Sequence, residues 1–205
     1  MALFALPAPA QRVAPRGGGV GHWDRPGRLP ADLWRALLAD PETVRRYHQR
    51  VYRRERGCWY WTGALSSSGY PQLRAGSRAL DPDRPGSHVV AGHVLGWQIS
   101  RGLLHPDPAT GQLPVIRHTC DERSCCRPGH WVAGSPAENA ADYVARGHVV
   151  GSPLTDRRGP GGRARAIRAA IVAALAEGAS PGEIEAAIQA ASATGIPGAQ
   201  EALPF

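Results

Sequence analysis

His118, His130 and Asn139 lie 12 and 9 positions apart around Cys120 and Cys125, inside the run RHTCDERSCCRPGHWVAGSPAEN. Cys120-x4-Cys125-x4-His130 offers three soft or borderline ligands within eleven residues. Structural zinc is usually four-coordinate and tetrahedral, with Cys and His ligands. The fourth ligand has to come from elsewhere in the chain, and Cys58 is the candidate because it opens a predicted strand. Cys126 is left over, as a small core residue or an alternate ligand. Unligated burial and a redox pair are the other readings of these thiols. Four cysteines are too few for a disulfide scaffold, and three of them within 120–126 beside a histidine favour metal binding. A reducing, cytoplasmic setting is therefore expected.

His118 is a group of another kind. A neutral imidazole titrates near physiological pH and can take a proton from water. Asn139 and Asp142 are three apart on a predicted helix, and so share a face. Their oxygen atoms suit a hard divalent ion such as Mg²⁺ or Mn²⁺. Thiolates and oxygen donors select different ions, so zinc and this second cation are expected in different places. The chemistry such groups serve is metal-dependent hydrolysis of a nucleic-acid phosphodiester, the cation gripping the phosphate and stabilising the leaving oxygen. The plainer alternatives are His118 as the fourth zinc ligand, Asn139 as a surface residue, and Asp142 as the i,i+4 partner of Arg146.

The composition bounds these ideas. The 205 residues suit one domain with tails, or two small domains, and 25 Gly and 19 Pro against 2 Phe and 5 Tyr predict a small core. All 24 basic residues are arginine, and the net charge is +7. Arginine's planar fork matches phosphate and is desolvated more cheaply than an ammonium, which favours a polyanionic partner such as double-stranded DNA. High G+C coding bias explains missing lysines equally well, but not the excess of positive charge. No apolar run approaches the roughly 18 residues of a membrane span. The opening MALFALPAPAQR has no basic residue before its apolar patch, so no secretory signal and no membrane association are expected.

Elements must position the reactive groups. Residues 1–30 are Pro-, Gly- and Ala-rich and read as a disordered tail. Helices are predicted over 31–39 and 42–55, the second with Val44, Tyr47 and Val51 as its apolar stripe. Arg45, Arg46, Arg50, Arg53, Arg54 and Arg56 crowd its other face, as a DNA phosphate contact surface or a merely solvated one. Strands at 58–62 and 70–73 are predicted to pair across a Ser/Gly turn, with a helix over 88–101 packed on them. A short strand at 113–116 delivers His118, and another lies around 131–132. Ser135-Pro-Ala-Glu138 starts a capped helix carrying Asn139 and Asp142. Residues 151–162 read as linker. Residues 163–192 read as a helical hairpin, either a helix-turn-helix that reads DNA or a unit for packing or dimerisation, and 193–205 as a tail.

Three stretches, GCWYWTGALSSSGYPQL, AGHVLGWQISRG and RHTCDERSCCRPGHWVAGSPAENAADYVARGH, resemble the HNH endonuclease superfamily, in particular its phage and intron-associated branch. The shared features are Cys-Trp-x-Trp-x-Gly, a histidine on the following helix, and His-x-Cys-Asp-x-x-x-Cys-x-x-Pro-x-His. An Asn-x-x-Asp on the last helix completes them. The resemblance implies an α+β fold: a small ββα-metal core over 31–150 with a zinc staple, flanking helices and a C-terminal helical hairpin. It implies a DNA endonuclease with His118 as general base, His130 in the middle position and Asn139 in the last. Arg117 stands where relatives carry an acidic or histidine metal ligand; it cannot bind a cation but could clamp a phosphate oxygen. His93-Val94 replaces a His-Arg pair, leaving His93 as the candidate phosphate contact there, and Trp131 replaces a leucine. Two other functions stay open: a non-catalytic zinc-stabilised DNA-binding protein, and a zinc-stabilised protein interaction module.

Overall fold

A computed structural model describes residues 29–196, and among them six α-helices alternate with three two-stranded antiparallel sheets. The class is α+β, as expected. The predicted tails at 1–30 and 193–205 lie almost wholly outside the described residues.

Helix α1 (Ala31–Ala39) buries Trp34 and Leu37, and α2 (Pro41–Gln49) buries Thr43 and Tyr47. Pro41 sits in the first turn of α2, where its missing N–H removes no helical bond. The Thr43 hydroxyl donates to Asp40 at 2.6 Å and accepts the Gly76 N–H at 2.8 Å, tying α2 to a distant loop. The helix predicted over 42–55 therefore ends early, at Gln49. Strand β1 (Val51–Tyr52) leaves it to pair with β2 (Tyr60–Trp61), Val51 opposite Trp61 and Tyr52 opposite Tyr60. Aromatic and β-branched cross-strand pairs contribute roughly 0.2–1 kcal/mol each. The Thr62 N–H adds a bond to the Arg50 carbonyl at 2.8 Å.

The predicted pairing of 58–62 with 70–73 is also corrected. Strand β3 (Gln72–Ala75) pairs instead with β4 (His88–Ala91), and a bridge between Leu65 and Pro71 closes the Ser/Gly turn. Residues 88–91 are extended rather than helical, Val89 and Val90 facing Arg74 and Leu73 across the ladder. Helix α3 (Gly92–Arg101) starts where the Gly92 N–H meets the Pro71 carbonyl at 2.8 Å. Within it, Gly96 lies directly beneath the Tyr47 and Trp131 side chains.

Strands β5 (Val115–His118) and β6 (Trp131–Gly134) form a two-stranded ladder that sets His118 opposite Trp131. Helix α4 (Pro136–Arg146) follows at once through the predicted capping box, Ser135 accepting the Glu138 N–H and Glu138 accepting that of Ser135. Further on, the supposed linker at 151–162 holds a 3₁₀ turn at Pro153–Thr155 and the start of α5 (Gly159–Ala176). Helix α6 (Pro181–Ala193) opens with a second capping box at Ser180 and Glu183.

Two buried clusters result. Leu37, Tyr47, Trp61, Leu95 and Trp131 are central to the larger one. In the smaller, Ile167 and Ile171 of α5 and Ile184 and Ile188 of α6 close over Tyr60 of β2, so the helical hairpin completes its core on the sheet. Gly161 permits this approach, because a Cβ there would lie 3.0 Å from the Ser68 backbone. No helix among the described residues is long and apolar enough to cross a membrane.

At Gly96 two effects oppose each other. Alanine is favoured over glycine in a helix by about 1 kcal/mol, but a Cβ at 96 would lie 2.6 Å from the Trp131 ring. Overpacking of this kind costs about 1–3 kcal/mol. Gly96→Ala is expected to lower the midpoint of urea unfolding; an equal or higher midpoint would show that the rings have room to move.

Candidate metal centre and adjoining pocket

The ligand atoms of Cys58, Cys120, Cys125 and His130 all lie within 4.8 Å of one another. His130 Nδ1 is 3.6 Å from Cys58 Sγ and 3.5 Å from Cys125 Sγ. Metal–sulfur bonds of ~2.3 Å and metal–nitrogen bonds of ~2.0 Å at a tetrahedral angle give a ligand–ligand edge of ~3.5 Å. The four predicted ligands thus form a set that could hold a metal ion, Cys58 included.

Backbone pairing builds this set from two separated segments. The Trp61 N–H donates to the Ser124 carbonyl at 3.1 Å and the Cys126 N–H to the Trp59 carbonyl at 2.7 Å, locking β2 alongside 124–126. Pro128–His130 forms a single 3₁₀ turn that swings His130 back toward the thiols, and the Thr119 N–H meets the His130 carbonyl at 2.9 Å. Cys126 points the other way. It is 1% exposed in the larger core, where burial pushes its thiol up to about 12.

The three sulfur atoms crowd one another. Hydrogen bonds from Cys125 and Cys58 hold the Cys120 thiol well below its ordinary range. The bond to Cys120, with burial and the nearby negative charge, pushes Cys58 and Cys125 upward. A positive ion among them would favour the thiolate form of all three.

His118 ends β5 beside the cluster but is not one of the four converging ligands. Its Nε2 lies 3.1 Å from the Cys125 carbonyl oxygen, and the Trp131 indole N–H lies 3.1 Å from that nitrogen and 3.3 Å from the same carbonyl. Two tautomers fit these contacts: Nε2 accepts the Trp131 N–H, or Nε2–H donates to the carbonyl, which then also accepts from Trp131 and leaves Nδ1 as the basic nitrogen. Burial holds the His118 pKa below the usual histidine value, which keeps the ring neutral. His118 and Asn139 line one pocket of about 320 Å³ together with Tyr70, Asp121, Arg123 and Arg146.

Asp142 also lines this pocket, but its carboxylate is engaged. Oδ2 is 2.8 Å from Arg117 Nη1 and 3.4 Å from Arg146 Nη2. Arg117, expected as a phosphate clamp, is drawn to Asp142 and, at 3.5 Å, to Glu138. Its buried Nε has no hydrogen-bond partner among the described residues.

The expected DNA contacts are mostly committed within the protein. Arg45 pairs with Glu42 at 2.7 Å, Arg46 donates to the Gly76 carbonyl at 2.8 Å, and Arg50 to the Arg46 carbonyl at 3.1 Å. Arg53 meets His48 at 2.9 Å and lies over Trp59, while Arg54 pairs with Glu185 at 2.7 Å. His93, expected as a phosphate contact, is 4% exposed and lies between the rings of Tyr70 at 5.0 Å and His118 at 5.4 Å, a buried setting that does not favour such a contact. Tyr70, Asp121, Arg123 and Arg146 went unassigned in the sequence. Their convergence depends on how β3, the metal loop and α4 pack, and no spacing rule reports that.

Removing one ligand tests the set. Cys58→Ser is expected to drop bound metal from stoichiometric to a trace after dialysis, measured by elemental analysis. An undiminished content would remove Cys58 from the centre. No protein-family model matches the chain, and no solved structure matches it. Protein 2.8 of Escherichia phage T7 is 28% identical to it over 99 residues, 48% of this chain and 58% of that protein. The chain is therefore similar to part of a phage protein, and the match leaves over a third of that protein's length uncovered.

Proposed function

We propose that the chain is a zinc-stapled endonuclease of HNH type that hydrolyses DNA phosphodiester bonds. The observation that carries the reading is the shared pocket of His118 and Asn139 beside the Cys/His cluster. Three thiols and one imidazole are a soft donor set, which favours zinc over harder ions. The zinc fixes the loop and takes no part in the reaction.

In this reading His118 is the general base. The Cys125 carbonyl orients its ring, and Nδ1 accepts the proton of a water molecule as that water attacks phosphorus. Arg146 and Arg123, which also line the pocket, would hold the non-bridging phosphate oxygens. Asn139 and Asp142 are the oxygen donors for Mg²⁺ or Mn²⁺, an ion that commonly takes only one or two carboxylates and completes its shell with water and phosphate. Such an ion would supply positive charge to the phosphate and the departing 3′ oxygen. Arg117 has to yield Asp142 for this, and phosphate oxygens are suitable new partners for its guanidinium. The arginine excess of the chain agrees with a polyanionic substrate, and the cytoplasmic location expected from the free thiols agrees with it too.

A second reading is favoured by the Arg117–Asp142–Arg146 cluster itself. If those pairs persist, no divalent ion enters, and the molecule is a zinc-stabilised DNA-binding protein without catalysis. Nicking of supercoiled plasmid by zinc-loaded protein, with added Mg²⁺ or Mn²⁺, separates the two. His118→Ala is expected to slow nicking roughly 100- to 10,000-fold while salt-sensitive DNA binding persists. DNA binding with no nicking by the wild type would establish the second reading. An absence of salt-sensitive DNA affinity would remove both and leave a protein interaction module.

A further inference from the structure

Glu122 stands between two of the clustered thiols in the chain, and its carbonyl accepts the Cys125 N–H at 3.1 Å. Its side chain is almost completely buried, with Oε1 accepting the Ser124 hydroxyl at 2.8 Å and the Ser124 N–H at 3.2 Å. The second oxygen, Oε2, lies 2.9 Å from Arg163 Nε of α5, 41 residues away in the chain. Arg163 is buried as well. Its Nη1 donates to the Ser192 carbonyl near the end of α6 at 2.7 Å and lies 3.6 Å from Asp156 Oδ2. One guanidinium thus joins the metal loop to both helices of the C-terminal hairpin.

We infer that Arg163 is a positioning residue for the metal centre: through Glu122, docking of the C-terminal helical hairpin sets how tightly the Cys120–Cys125 loop holds its ion. The inference rests on the zinc reading above. Its physical basis is geometric: a buried carboxylate that loses the guanidinium bonded to it has no partner for that oxygen and must turn toward water. Such a turn shifts the Glu122 backbone, whose carbonyl accepts the Cys125 N–H. The loop has little freedom to absorb such a shift, because Asp121 already sits at a left-handed φ of 56° and is pinned to α4 by Arg146 at 3.0 Å. Successive residues 121 and 122 are therefore anchored to different helices, with the thiol of Cys120 just before them. Removing outer-shell partners of metal ligands typically weakens metal binding by about 10- to 100-fold.

The same geometry limits the helix-turn-helix idea. The arginines in the first half of α5 turn inward: Arg163 to Glu122, Arg165 to the Ser67 carbonyl at 2.8 Å, and Arg168 to the Thr62 carbonyl at 3.1 Å. Arg163 holds the helical hairpin to the loop of Cys120 and Cys125, and Arg165 and Arg168 hold it to the segment that follows β2.

The test is the rate at which zinc passes from the loaded full-length protein to an excess of a chromogenic chelator. Arg163→Met, with far-UV circular dichroism as the check on folding, is expected to release zinc about 10- to 100-fold faster than wild type. Arg163→Lys keeps the charge but cannot bond Glu122 and Ser192 in the same fork, and is expected to fall between the two. Release from folded Arg163→Met at the wild-type rate overturns the inference while leaving the zinc reading intact. Should Arg163→Met not fold, the lysine variant decides, and a wild-type rate there overturns the inference equally. A wild-type protein that carries no zinc removes both together.

Discussion

Three sulfur atoms and one imidazole nitrogen meet within 4.8 Å, and most of the surrounding structure follows from that meeting. The thiols cannot all ionise in so small a space on their own, since each thiolate raises the cost of the next. A soft cation held by the four groups would resolve the conflict and at the same time cross-link the segment before β2 to the loop between β5 and β6. The chain has little sheet of its own to make that link. Its strands are two to four residues long, and its sheets have two strands each, too small to be stable without packing or a clasp.

Arginine supplies the second kind of clasp. Loops rich in Gly and Pro leave carbonyl groups that no ladder satisfies, and guanidinium groups cap many of them. Arg46 reaches Gly76, Arg123 reaches Ser68, Arg127 reaches Gly57, Arg146 reaches His118 and Arg158 reaches Ala191, at 2.7–3.3 Å. A fork with five donors can serve a carbonyl and a carboxylate together, as Arg163 does, where a lysine offers a single point. Part of the positive charge that suggests a polyanionic partner is consequently spent on holding loops in place. What remains toward the pocket is the group around Asp142, where Arg117 and Arg146 share one carboxylate oxygen.

Burial shapes the pocket as much as charge. Desolvation lowers the His118 pKa, and its Nε2 lies 3.1 Å from the Cys125 carbonyl, so the Cys/His loop and this pocket histidine are mechanically one unit. His93 lies against it, its ring tilted by 56°, and is almost excluded from solvent. Asn139 reaches the same pocket from α4, a helix that buries none of its own residues and is held in place by its capping box, by Arg117 and by Arg146.

Features that depend on near neighbours in the chain were legible in the residues alone. The capping box at Ser135 and the spacing of Cys120, Cys125 and His130 are short-range and appear where they were expected, and the strand that delivers His118 lies two residues further on than predicted, at Val115–His118. Cys58 could be picked as the distant ligand because it opens a predicted strand, and it does join the cluster. Only the tertiary structure decided the rest. Whether Val51 continues a helix or pairs with Trp61, and whether 88–91 coils or pairs with β3, turns on partners many positions away whose contribution outweighs local periodicity. The same holds for charge: a guanidinium looks alike in sequence whether it faces a phosphate, a loop carbonyl or a buried carboxylate. Glu122 and Arg163, 41 residues apart, carry no mark of each other until the chain folds.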